Sequence, residues 1–100
     1  MRPAESVERL IRLLGTSLAT QESVPTAIGI AACFPEDPFA ACLAAAASGG
    51  DSDTIAAMAG AILGAVKGVA NFPNAAVKLV AEVNSLDLDE TAAELLKLRR

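Results

Sequence analysis

The sequence predicts an all-α fold, and three observations carry that prediction. Alanine fills about a fifth of the 100 positions and, with leucine and isoleucine, favours helix over strand almost throughout. Apolar residues recur three and four positions apart, the spacing of one helical face. Glycine, proline and short polar clusters divide the chain at intervals suited to six helices.

The first helix is expected over about Ala4 to Leu14. Val7, Leu10, Ile11 and Leu14 share a face, and Glu5/Arg9 and Glu8/Arg12 pair at i,i+4 on the wet one. Gly15 stops it. Thr16 and Ser17 lead into a second helix, about Glu22 to Phe34, with Ser23 as N-cap and Pro25 in the first turn, where a missing N–H has no helical partner to lose. Pro35 ends that helix. Asp37-Pro38 opens a third, about Pro38 to Ala47, and Ser48-Gly49-Gly50 closes it with residues that accept positive φ. A fourth runs from about Asp53 to Ala70, and a fifth, about Asn74 to Asn84, follows Pro73. The sixth begins at Asp87, with Asp87, Asp89 and Glu90 in its first turn and Lys97, Arg99 and Arg100 in its last, the order that the helix dipole favours. Residues 1–100 read as a single all-α domain.

Ala56, Gly60, Gly64 and Gly68 repeat every four residues along the fourth helix. Glycine inside a helix costs about 1 kcal/mol against alanine, so several together call for a compensating contact. The stripe predicts close approach by another helix backbone.

Composition removes whole classes of function. Histidine, tryptophan and tyrosine are absent, which excludes imidazole acid/base catalysis, Ser-His and Cys-His nucleophiles and every His-containing metal site. A net charge of -4 and a pI near 4.6 leave little counterion release to drive nucleic-acid binding, so no DNA or RNA partner is expected. Cys33 and Cys42 form neither a CxxC pair nor a zinc-ligand set, and each lies among apolar residues as a small hydrophobe. A reduced, cytoplasmic protein fits best. Glu5, Glu8, Arg9 and Arg12 interrupt any signal-peptide core. Uncharged runs such as Thr54 to Val66 fall short of the ~20 residues that cross a bilayer, so no membrane partner is expected.

The segment that carries chemistry is Ser48-Gly49-Gly50-Asp51-Ser52-Asp53-Thr54-Ile55. It delivers two carboxylates and a hydroxyl to a helix N-terminus, and two readings stand side by side. Asp51 or Ser52 can accept the free first-turn N–H groups as a cap, with Asp53 complementing the dipole. Alternatively, Asp51, Asp53 and Thr54 form an all-oxygen donor set of the kind that Mg²⁺ prefers, with Gly49 and Gly50 letting the backbone pass close to a charged ligand. A calcium loop is excluded, because its glycine and glutamate positions hold Ala56 and Ile62. The nucleophile loop of haloacid-dehalogenase phosphatases is excluded too, since it follows a buried strand and Ala44 to Gly50 reads as a helix end and a turn.

The sequence resembles the C-terminal part of the ADP-ribosylglycohydrolases, which include the dinitrogenase-reductase-activating glycohydrolases. Ser23-Val24-Pro25-Thr26-Ala27 looks like the family's "esvPaAl" helix start, Asp37-Pro38-Phe39-Ala40-Ala41 like its "dpfea" segment, and Gly49 to Gly68 like "GGDtDTiAaiaGaiaGAyyG". The resemblance covers about Gly15 to Pro73 and departs from the pattern at Val66-Lys67, where the family carries an aromatic pair.

The resemblance implies a compact multi-helix orthogonal bundle and hydrolysis, assisted by two Mg²⁺ ions, of the glycosidic bond joining ADP-ribose to a protein or small-molecule acceptor. It implies Asp51, Asp53 and Thr54 as metal ligands, and Gly49 and Gly50 as the substrate-facing loop. Further metal ligands and a glutamate near the substrate belong to the family's N-terminal part, outside the matched segment. The chain therefore reads as half of a site, with the N-terminal half as a possible separate chain. Apolar faces of the first, second and fourth helices, left uncovered without the family's other helices, point to a homo-oligomer. The alternative is a non-catalytic helical module for self-association or partner binding, with Asp51 and Asp53 as caps only.

Overall fold

A computed structural model describes residues 2–99 as six α-helices and one short 3₁₀ turn, with no strand among them. The helices are α1 (Pro3–Leu14), α2 (Thr20–Cys33), α3 (Pro38–Ala46), α4 (Ser52–Lys67), α5 (Asn74–Val83) and α6 (Leu88–Leu96). Arg100, expected in the last turn of α6, lies outside the described residues.

Helix α1 begins with Pro3 at its first position and ends at Gly15, whose φ of 86° only glycine adopts at little cost. Glu8 pairs with Arg12 at 2.7 Å as expected, but Glu5 turns back to Arg2 at 3.0 Å rather than forward to Arg9. Helix α2 starts two residues earlier than its sequence suggests. The Ala19 carbonyl accepts the N–H groups of Glu22 and Ser23, so Ser23 is no cap but a buried residue inside the helix. Pro25 consequently sits beyond the first turn, where it removes a donor from the exposed Gln21 carbonyl. Caps at Asp37 and Asp87 form, accepting from the backbone N–H of Ala40 at 3.1 Å and Glu90 at 3.0 Å.

Helix α4 is shorter than expected. Gly68 takes a φ of 81° and caps it, Asn71 Nδ2 donates to the Lys67 carbonyl at 2.6 Å, and Val69–Asn71 form the 3₁₀ turn instead of another helical turn. Lys67 forms an ion pair with Glu36, joining the end of α4 to the α2–α3 turn. The last turn of α6 holds no basic residue: Lys97 follows it and pairs with Glu94 at 2.8 Å, and Arg99 lies beyond.

Helices α1 to α4 hold the core, with α4 packed chiefly against α3 and α2, and α1 against α2. Val7, Ala27, Ile30, Ala31, Ala41, Ala45, Ile55, Ala59 and Leu63 are its buried apolar residues. Helices α5 and α6 contribute none. Both cysteines are free, and burial raises their thiol pKa values, so they stay protonated and serve as apolar filling.

The glycine stripe of α4 meets side chains, not a neighbouring backbone. A Cβ on Gly60 would lie 3.0 Å from Cys42 Sγ, one on Gly64 would lie 3.6 Å from the Phe72 ring, and one on Gly68 would meet nothing within 4 Å. The compensating contacts are a thiol and a ring edge. Since 3.6 Å is ordinary van der Waals distance, Gly64→Ala should raise stability by up to ~1 kcal/mol through helix propensity. Gly64→Leu, which drives a branched chain into the ring, should cost about 1 to 3 kcal/mol. Thermal melting of the two variants beside the parent separates these signs.

Candidate functional site

Asp51, Asp53 and Thr54 come together at the N-terminus of α4, where the first-turn N–H groups leave a partial positive charge. The chain reaches this corner through two left-handed glycines, Gly49 at φ 82° and Gly50 at φ 59°. A Cβ on Gly50 would stand 2.3 Å from the Thr16 carbonyl oxygen, so only glycine fits there. Gly49 faces open space, with nothing within 4 Å of its missing side chain.

Asp51 occupies the N-cap position, yet no backbone N–H of the first turn donates to its side chain. The Thr54 hydroxyl donates to Asp51 Oδ1 at 2.9 Å instead. The cap expected of Asp51 or Ser52 therefore does not form, because the carboxylate is engaged by a side chain one turn along. Asp53 lies beside it. The neighbouring Asp51 side chain, and then the N–H groups of Thr54 and of Asp53 itself, hold the Asp53 carboxyl below the ordinary carboxylate value. At neutral pH it carries its full negative charge on an exposed edge.

Two residues that the sequence did not point to shape this corner. The backbone N–H of Asp51 donates to the Thr16 carbonyl at 2.7 Å, tying the start of α4 to the α1–α2 turn. Thr26, buried in α2, donates its hydroxyl to the Gly15 carbonyl at 2.6 Å and holds that turn from the other side. Both contacts span many residues and leave no local signature.

A profile of the ADP-ribosylglycohydrolase family matches residues 2–100. The chain belongs to that family. Among its relatives, the uncharacterized protein YegU of Escherichia coli K12 is 40% identical over 93 residues, covering 93% of this chain and 28% of its own length. The ADP-ribosylhydrolase ARH3 of Homo sapiens is 42% identical over 79 residues, covering 66% of this chain and 21% of that protein. Its Danio rerio counterpart is 41% identical over 78 residues, covering 68% and 21%. This member of the family thus spans less than a third of the length of the curated relatives it matches. No solved structure gives a significant match.

The donor chemistry of the corner suits a hard cation, being all oxygen with one carboxylate held ionised. The donor number does not complete a site. Among the described residues no group of three or more His, Cys, Asp or Glu gathers where an ion could be held. Nor do three shallow grooves on the surface reach Asp51; the largest, about 630 Å³, lies between α5 and α6.

Proposed function

We propose that this chain supplies one half of a glycohydrolase site, the half that contributes Asp51, Asp53 and Thr54 as ligands to two Mg²⁺ ions, with Gly49 and Gly50 as the loop facing the substrate. The substrate is an ADP-ribosylated protein or a small ADP-ribose conjugate, cleaved at the glycosidic bond to the acceptor. The single observation that carries this reading is the Asp51 side chain, which sits at a helix N-cap but accepts from the Thr54 hydroxyl instead of the backbone donors. When bound, the ions would orient the ribose hydroxyls and polarise the scissile bond or a water. The residues named here bind and position them, and the remaining ligands come from the family's N-terminal part, in the same or a separate chain. Free thiols at Cys33 and Cys42 support residence in the cytoplasm, where disulfides are rare.

The test is complementation. The purified 100-residue chain alone should release no ADP-ribose from a modified protein, and adding the N-terminal part of a relative such as the ADP-ribosylhydrolase ARH3 should restore Mg²⁺-dependent release. Robust release by the chain alone, with contaminating hydrolase excluded, would overturn the half-site reading.

A second reading, self-association without catalysis, is favoured by one observation. Leu79, Val83, Leu95, Leu96 and Leu98 are all more than half exposed on the C-terminal helices and the residues just beyond, where no apolar residue is buried. Uncovered apolar surface on this scale is commonly met by a two-fold partner. Sedimentation equilibrium at micromolar concentration should show a dimer or larger, and a clean monomer would count against a homo-oligomer.

A further inference from the structure

We infer that Thr26 positions the Asp51–Thr54 corner, acting through the α1–α2 turn and not by touching the corner itself. The functional meaning of this role rests on the half-site reading above; its geometry does not.

Thr26 is fully buried in the second turn of α2, and its hydroxyl is bonded to one acceptor outside that helix, the Gly15 carbonyl at 2.6 Å. The N–H of Gly15 is already committed to Ile11 at 3.0 Å, so this residue is fixed from α1 on one side and α2 on the other. The next carbonyl along, that of Thr16, receives the N–H of Asp51, the N-cap residue of α4, at 2.7 Å. Gly50 completes the fit, since any side chain there would strike the same Thr16 oxygen. Two consecutive carbonyls thus point to different helices: one is gripped by Thr26, and the other grips Asp51. Removing the hydroxyl leaves the Gly15 carbonyl without its donor and frees the turn to rotate, and the Thr16 carbonyl moves with it.

Amide hydrogen exchange on the full 100-residue chain reads this directly. In Thr26→Val the Asp51 amide should exchange about tenfold faster or more, while the amides of Ala59 and Leu63 in the middle of α4 keep their parent rates. Thr26→Ser, which retains the donor, should restore the Asp51 rate. If the valine variant does not fold, Thr26→Ala removes the hydroxyl without placing a new methyl against the carbonyl, and the same local acceleration is expected. An unchanged Asp51 rate in the folded hydroxyl-free variant overturns the inference, and so does acceleration in step with Ala59 and Leu63, which marks general destabilisation. A Mg²⁺ titration followed at the Asp51–Thr54 amides tests the other reading separately. Tight, stoichiometric binding by the chain alone, without the N-terminal ligands, speaks against the half-site, while local acceleration in the exchange experiment still establishes the positioning role of Thr26.

Discussion

Replacing Ile55 by alanine is expected to lower the melting temperature by roughly 10 °C or more, because deleting a buried isoleucine side chain typically costs ~2 to 5 kcal/mol and each kcal/mol shifts a chain of this size by ~4 to 8 °C. Ile55 is fully buried, and its backbone N–H closes the first turn of α4 on the Asp51 carbonyl at 3.1 Å. Its neighbours in the core include several alanines, which have no longer side chains to swing into the space left behind. The loss therefore falls on the turn that carries the aspartates as well as on the core. Thermal unfolding followed by circular dichroism measures it, and a drop of less than roughly 3 °C would show that α4 is anchored elsewhere.

The second large effect is on activity. On the half-site proposal, Asp53→Asn or Asp51→Asn should reduce ADP-ribose release by the complemented enzyme at least about a hundredfold, since a metal that polarised the reacting bond would supply several kcal/mol of barrier lowering and each substitution would remove one of its proposed anionic ligands. The Asp53 side chain is exposed and Asp51 makes no cap bond, so neither variant should shift the melting temperature of the isolated chain by more than a few degrees. Loss of activity with preserved stability is the expected pair. Full activity in both variants would remove the aspartates from the mechanism and leave the module reading in possession of the field.

What the sequence disclosed was what short-range chemistry encodes. Asp37-Pro38 and Asp87 announced their helices because a capping carboxylate and the N–H it accepts lie three residues apart. The Gly-Gly-Asp-Ser-Asp-Thr run announced a turn into a helix, and α4 does begin at Ser52. Ser23 misled, since a serine ahead of an apolar run looks like a cap whether it starts a helix or lies buried within one. Gly68 misled in the same way: a fourth small residue in a regular stripe is indistinguishable, without coordinates, from a left-handed cap. The contacts of Thr16 with Asp51 and of Thr26 with Gly15 could not be read at all, because they depend on how α1, α2 and α4 are stacked and not on any pattern along the chain.

Five of the nine buried apolar residues are alanine, and this has a calorimetric consequence. Alanine side chains withdraw little apolar area from water, and both the heat capacity of unfolding and the denaturant slope scale with the area exposed when the chain opens. The heat capacity increment should therefore fall below the ~12 to 15 cal/mol/K per residue usual for globular proteins. A small increment flattens the curve of stability against temperature. Such a chain loses little on cooling and unfolds over a broad interval on heating, and it responds weakly to urea. Burial of the α5–α6 leucines by a partner would steepen all three responses at once.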